Sequence, residues 1–365
     1  MKIESSTDGR SANDSPRTES SARRDDARIK VSIVIPVRDE EQSLPALVAS
    51  LQAQTFPPAE VVIVDGGSKD ETVAVGRRLT EHDKRFRIIE AGPATPGRGR
   101  NVGTAAARSE WIAYTDAGIR LEPTWLFHLV QAVERDPTVE VVYGNYEPVA
   151  KSRFERAAAL TYPAPRRERP GGWMRAPFIA SSLIRRDVWQ RVGGFPDLRA
   201  AEDLMFMERV EANTSRIGWS PEATVWWQLQ PTLARTFRKF VLYSKHNVWA
   251  ARQRYWHYGI ARQYAVAFVF TVLAVVHHPW WLALPAGGLA ARALKTIWQH
   301  RDGRGLLWSL NPIQFVYVVV ILLAVDLATF TGWAQALLSK PPATGDARNH
   351  AINRDHETSG ARDDA

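Results

Sequence analysis

The chain has 365 residues, no cysteine and a formal net charge of +8. Its length allows one large domain with an appendage or two ordinary domains. The missing cysteine excludes disulfides, thiolate metal sites and cysteine nucleophiles, so any chemistry must use carboxylates, His, Lys, Arg or hydroxyls.

Taken in order, residues 1–28 mix basic and acidic residues with Ser and Thr and contain no apolar run. That fits a disordered tail, and neither a signal peptide nor an acid-poor transit peptide. Residues 339–365 read the same way. Between the tails, Val31 to Ile35 is a β-branched run ending at Pro36, followed by Leu44, Leu47, Val48 and Leu51 at helical spacing. Val61 to Val64 is a second run; it meets Asp65-Gly-Gly-Ser-Lys-Asp-Glu-Thr72, and Val73, Val75 and Leu79 predict a helix with Ser68 or Asp70 near its cap. Phe86 to Ile89 is a third strand. A Gly/Pro loop carrying Arg98 and Arg100 then precedes a small-residue helix at Val102 to Ala107. Trp111 to Thr115 is a fourth strand that delivers Asp116 to its end before Ala117-Gly118 breaks the pattern. Strands and helices alternating in this way predict βαβ units and an α/β domain with a mostly parallel sheet over 29–230. Alone, Asp116 reads as an ordinary turn residue; ligands of open α/β sheets, however, bind beyond the carboxyl ends of strands.

These segments together resemble the inverting glycosyltransferase family 2, whose catalytic domain has the GT-A nucleotide-diphospho-sugar fold. VSIVIPVRDEE resembles its opening strand and turn, and VVIVDGGSKDET its Asp-bearing second strand. PGRGRNVGTAAARSEWIAYTDAG resembles the helix and strand that lead to its metal motif. FIASSLIRRDVWQRVGGFPDLRAAEDLMF resembles its acceptor-side segment ending in Glu-Asp. The resemblance implies that Pro36 and Glu40 line the nucleoside, that Arg38 stands where relatives stack an aromatic on the base, and that Asp65 accepts a hydrogen bond from the base. Arg98 and Arg100, in a Gly-rich loop before a helix, are candidates to hold a diphosphate; the alternative is a solvated basic loop. The resemblance makes Asp203, beside Glu202, the base that deprotonates the acceptor hydroxyl. The alternatives are a helix cap for Asp65 and a favourable helix-dipole position for Glu202 and Asp203. No G-x-G-x-x-G follows a strand, which speaks against a dinucleotide site.

Relatives carry Asp-x-Asp where this chain has Asp116-Ala-Gly118. A divalent cation, Mg²⁺ or Mn²⁺, is then expected on Asp116 alone or with a later side chain such as His246. Otherwise Arg98, Arg100 or a basic residue beyond Ala223 replaces part of the metal's charge.

From Ala223 to Arg301 there is no Asp or Glu. Within this stretch, 231–262 interleaves basic residues with aromatics, a composition that suits a helix lying among lipid head groups and also nucleic-acid binding. Tyr264 to His277 and Trp280 to Leu294 are apolar around His278-Pro279, and Phe315 to Leu338 is apolar apart from Asp326. About 20 apolar residues cross a bilayer, so 263–338 is expected to hold two or three transmembrane helices. In the three-helix version the chain turns at His277-His278-Pro279 and returns Arg292, Lys295, Arg301 and Arg304 to the cytoplasmic side. Asp326 needs a partner, or lies solvated near a helix end.

The sequence therefore predicts a multi-pass inner-membrane glycosyltransferase with a cytoplasmic GT-A domain. Its expected partners are a nucleotide sugar, a lipid-linked or polysaccharide acceptor and the membrane, with no nucleic acid. Gly118 motivates an alternative, a catalytically weakened nucleotide-sugar-binding or scaffolding subunit.

Overall fold

Four runs rich in β-branched and aromatic residues build half of a sheet: β1 (Val31–Val37), β2 (Glu60–Asp65), β3 (Phe86–Glu90) and β4 (Trp111–Tyr114). The computed structural model describes residues 29–341; the tail expected at 1–28, and the second tail from 342 onward, lie outside the described residues. Helices α1 (Leu44–Gln52), α2 (Thr72–Thr80) and α3 (Pro96–Ala106) connect the strands, and β1 pairs in parallel with both β2 and β4 while β2 pairs in parallel with β3. After β1 the chain winds outward through β2 and β3, then returns to the other side of β1 as β4. Strand order reverses there, so the carboxyl ends of β1 and β4 lie side by side, the position at which open α/β sheets bind ligands.

The second half departs from the alternating pattern. It comprises β5 (Ile119–Leu121), α4 (Trp125–Arg135), β6 (Val141–Val149), α5 (Arg153–Ala159), β7 (Arg167–Arg169), β8 (Gly172–Met174), β9 (Ser182–Arg185), α6 (Arg186–Arg191), α7 (Glu202–Asn213) and β10 (Ile217–Gln228). The sheet runs β3-β2-β1-β4-β9-β6-β10-β5, with β7 and β8 as a separate ribbon. It is mixed: β9 lies antiparallel between β4 and β6, and β5 antiparallel to β10, so parallel pairing is confined to β3-β2-β1-β4 and β6-β10. Side chains alternate across it. Ile33, Ile35 and Ile63 meet Leu47, Leu51, Trp125 and Leu129 on one face, and Val34, Val64, Ile112 and Tyr114 meet Val188, Phe206 and Val210 on the other.

Beyond the sheet come α8 (Leu233–Trp249), α9 (His257–Val276), a tight turn at Pro279–Leu282, α10 (Ala283–Gln299), α11 (Leu306–Ser309) and α12 (Pro312–Leu338). Among the described residues, α9 and α12 are long and apolar enough to cross a membrane, with mean hydropathies of 1.8 and 2.3, and α10 is not. α9 exposes Phe268, Val275 and Val276, unlike the core helix of a globular domain. α12 lies against α8 where Gly332 has no side chain; a Cβ there would collide with the Val241 carbonyl and Ser244. Ser244 donates to the Thr329 carbonyl at 2.7 Å, and its hydroxyl meets His257 Nε2 at 2.8 Å. Val318, Ile321, Leu322 and Val325 of α12, with Ala293 and Ile297 of α10, pack against Ala157, Ala158 and Leu160 of the sheet domain.

Asp326 has partners. It is 1% exposed and receives both guanidinium nitrogens of Arg292, at 2.6 and 2.9 Å, and the Tyr264 hydroxyl at 3.0 Å. Three helices thus converge on one carboxylate, and breaking such a pair costs more than replacing it. Arg292→Ala is expected to destabilise by about 3–5 kcal/mol, whereas Arg292→Leu combined with Asp326→Leu costs less than either change alone. Thermal unfolding in detergent measures this, and a double variant as unstable as Arg292→Ala would remove the pair's structural role.

Candidate active site at the carboxyl end of the sheet

α3 carries the central cation. Sequence placed Arg98 and Arg100 in a loop, but the helix already starts at Pro96, with the Thr95 side chain accepting from Arg98 N at 3.2 Å. Glycine penalises a helix by about 1 kcal/mol relative to Ala, yet α3 lies so close to the sheet that no side chain fits. A Cβ on Gly99 would stand 3.1 Å from Pro36 Cβ, and one on Gly103 would collide with Val34. The glycines that read as a loop are what lets this helix touch β1. As a result Arg100 is drawn inward, 3% exposed, while Arg98 projects to solvent with no side-chain partner among the described residues.

Arg100 bridges two carboxylates from distant parts of the chain. Its Nη2 donates to Asp116 Oδ1 at 2.6 Å and its Nη1 to Glu202 Oε1 at 2.9 Å. Its guanidinium also sits 5.5 Å from the Phe195 ring centroid, and Phe195 stacks on Phe206 of α7 at 3.8 Å. Burial works against the charge of Arg100, but Asp116, Glu202 and Asp203 more than offset it and hold the group above its ordinary value. α7 begins at Glu202 after Ala201, which takes a left-handed conformation (φ 70°) and offers no side-chain cap. Glu202 is 5% exposed and its Oε2 has no hydrogen-bond partner. Burial, then the charge of Asp203, raises the Glu202 pKa against the pull of Arg100. Burial also raises Asp203, whose Oδ1 accepts from Leu204 N at 2.8 Å. Two adjacent carboxyls at a helix start, one of them bonded to the guanidinium, thus both have raised pKa values, a pattern common at functional sites.

The loops that follow β1 and β2 clasp each other. Asp39 N donates to Ser68 Oγ at 2.9 Å, Lys69 N to Asp39 Oδ1 at 2.7 Å and Glu40 N to Thr72 Oγ1 at 2.7 Å. Asp65 is buried and accepts from Gly67 N at 3.0 Å and from the Ser68 hydroxyl at 2.5 Å, so its first task is to close its own turn rather than to cap α2. Asp70 sits nearer that helix end, accepting from Thr72 N at 3.0 Å. Burial raises the Glu40 pKa, and the charge of Asp116 adds to the rise. Arg38 lies partly exposed, 3.7 Å from Asp39.

Two side chains of α8 complete the wall, and the sequence reading did not single them out. Burial lowers Lys239 to about 8, against the opposing attraction of Asp116. Its ammonium sits 4.6 Å over the Trp227 ring, and Trp227 pairs in register with Ile119, next to Gly118. Burial raises the Tyr243 pKa, and so do Asp203, Glu202 and Asp116. The spacing Lys239-x-x-x-Tyr243 within an acid-free stretch was the available signal.

A divalent cation fits these residues only as a guest of Asp116 and the substrate. Asp116 Oδ1 is engaged by Arg100, and among the described residues no group of three or more His, Asp or Glu side chains is arranged to hold a metal. His246 is buried beside Trp249 and belongs to no such group. A Cβ on Gly118 would meet nothing within 4 Å, so the space where a second carboxylate would begin is open among the described residues. One carboxylate with phosphate and water ligands is an ordinary Mg²⁺ environment.

The sequence pattern of the family described as Glycosyl transferase family 2 matches residues 32–192. The chain is 29% identical over 116 residues to the putative glycosyltransferase EpsH of Bacillus subtilis, covering 32% of this chain and 33% of that protein. It is 24% identical over 231 residues to the probable glycosyltransferase YdaM of the same organism, covering 60% and 55%. The aligned regions thus span about a third to about half of these curated relatives. Among solved structures, the mannosyltransferase PcManGT from Pyrobaculum calidifontis, in complex with GDP-Man and Mn2+, shares the fold with a TM-score of 0.53 and 20% identity, over 86% of this chain and 88% of that one. Residues 32–192 thus match the family 2 glycosyltransferase pattern, on a mixed sheet whose fold is shared with a solved glycosyltransferase.

Proposed function

We propose that the chain transfers a sugar from a nucleotide-diphosphate donor to a hydroxyl of a lipid-linked or glycan acceptor at a membrane, with inversion at the anomeric carbon. The observation that carries this reading is Arg100 bridging Asp116 and Glu202, which draws the end of β4 and the start of α7 onto one crevice with Asp203 beside them. The nucleoside lies along Pro36, Glu40 and the Asp65 turn, with Arg38 at its rim, and the diphosphate lies toward Asp116, Arg100 and Lys239. Asp203 accepts the acceptor's proton as its oxygen bonds to the anomeric carbon and the bond to the departing phosphate oxygen breaks. A divalent cation on Asp116 would neutralise charge on the departing diphosphate. Lys239 and Arg100 act on that same charge from the protein side. Two membrane-length helices support placing the reaction at a bilayer.

Asp203→Asn is expected to lower kcat by about 10²–10⁴-fold while donor affinity, measured by calorimetry, stays unchanged. Gly118 keeps a second reading in view, a subunit that binds nucleotide sugars without turning them over. Donor binding with no transfer or hydrolysis for any of a panel of nucleotide sugars would select that reading.

The pH profile carries a separate expectation. Asp203 must be ionised to act as a base, and its pKa is raised, so activity falls with acid at a pH above the ordinary aspartate value of about 3.9. Lys239 loses its charge as pH rises through about 8. A bell-shaped kcat/KM is expected, and in Lys239→Arg the basic limb moves upward because guanidinium keeps its proton. A basic limb unmoved in that variant would take Lys239 out of the charge balance.

A further inference from the structure

A second cavity, of about 600 Å³, lies where the helices after the sheet meet α5 and the end of β6. Its wall is strongly basic. Arg153 and Arg156 come from α5, Arg166 and Arg175 from the segment around β7 and β8, and Arg304 from the loop before α11. Of the two carboxylates in the wall, Glu147 is already engaged by Arg166 at 2.8 Å and Arg175 at 3.2 Å, which leaves Asp302 as the other. Arg153, Arg156 and Arg304 have no carboxylate partner among the described residues. Arg156 donates to the Lys151 carbonyl at 3.1 Å, and Arg304 lies 4.6 Å over the Trp308 ring.

Two further observations point to an acceptor-rich ligand. Gln314 lines the cavity, and its buried Nε2 donor has no partner. The first turn of α12, from Asn311 to Gln314, forms one side, so the positive end of a 27-residue helix faces in. Next to this polar space the surface turns apolar, with Leu307 89%, Ile313 55% and Val316 58% exposed. A bare phosphate is much smaller than the cavity and leaves those residues uncovered, whereas a phosphate carrying a polar head unit and a hydrocarbon chain meets both halves.

We propose that this cavity binds the phosphate-bearing head of a membrane lipid, with the lipid's chain running along Leu307, Ile313 and Val316. The site is separate from the Arg100 cluster, although contacts connect the two: Arg175 lies over Tyr146, Tyr146 meets Trp227, and Trp227 carries Lys239. The proposal rests on the reading that α12 lies in a bilayer. Two sources offer the same chemistry, a bulk phospholipid and a phosphorylated isoprenoid of the kind that carries sugars.

The test uses the full chain in a neutral detergent and follows thermal unfolding with four probes: phosphatidylglycerol, an isoprenyl monophosphate, the corresponding isoprenyl alcohol and inorganic phosphate. Saturable stabilisation by either phosphorylated lipid, but not by the alcohol or by inorganic phosphate at equal concentration, is the expected result; the stronger of the two lipids identifies the source. Arg156→Gln and Arg304→Gln are each expected to weaken that binding about tenfold or more, with Arg156→Lys retaining most of it. Gln314→Leu provides a variant that changes no charge. Equal stabilisation by the alcohol or by inorganic phosphate, no stabilisation by either phosphorylated lipid, or unchanged lipid binding in all three disruptive variants would overturn the proposal. Nucleotide-sugar stabilisation of the unaltered chain keeps the two readings apart: no lipid stabilisation with intact donor binding sinks this cavity alone, and absent donor binding sinks the transferase reading alone.

Discussion

Taking a guanidinium out of water costs several kcal/mol, and Arg100 recovers that only because carboxylates reach it from two distant parts of the chain. Asp116 arrives at the end of β4 and Glu202 at the start of α7. Without Asp116 the buried guanidinium loses its contact with the end of β4; without Glu202 it loses its contact with the start of α7. The same bridge lowers the cost of crowding Asp203 against Glu202. Much of the local architecture, from the glycines of α3 to the Phe195–Phe206 stack, serves to hold one cation at this depth.

The first half of the fold was legible because its signals are local. β1, β2, β3 and β4 are short apolar runs bounded by turn residues, and the helices between them show their spacing in the sequence. Legibility ended where tertiary contact overrules propensity. Pro96-Gly-Arg-Gly-Arg reads as loop on composition, yet it is helix, packed so closely that a Cβ on Gly97 would collide with the Pro196 carbonyl and one on Gly99 would crowd Pro36. β9 and β5, three or four residues each, enter the sheet antiparallel, and nothing in so short a run announces its direction.

The site shows the same division. The cluster of Arg100, Asp116, Glu202 and Asp203 could be assembled from motifs, while Arg98 was grouped with Arg100 and points the other way. Lys239 and Tyr243 stayed hidden because the carboxylates that act on them lie more than thirty residues away in sequence, and the basic-aromatic texture of their segment has a bland explanation as a face toward lipid. Asp326 could be recognised as costly from sequence, but its choice of Arg292 and Tyr264 depends on how three helices pack.

α8 belongs to two bodies at once. One face supplies Lys239 and Tyr243 to the crevice, and another rests on α12 where Gly332 permits close approach. The region matched by the family pattern stops at 192, before the Glu202-Asp203 pair and well before α8. A fragment trimmed to the sheet would keep both of its hydrophobic cores and look intact by spectroscopy, yet it would lack the lysine and tyrosine that feel the charge of Asp116. The helix that follows the sheet is in this sense part of the cluster's surroundings, and cutting it away would alter the electrostatics of Asp116 while leaving the sheet whole.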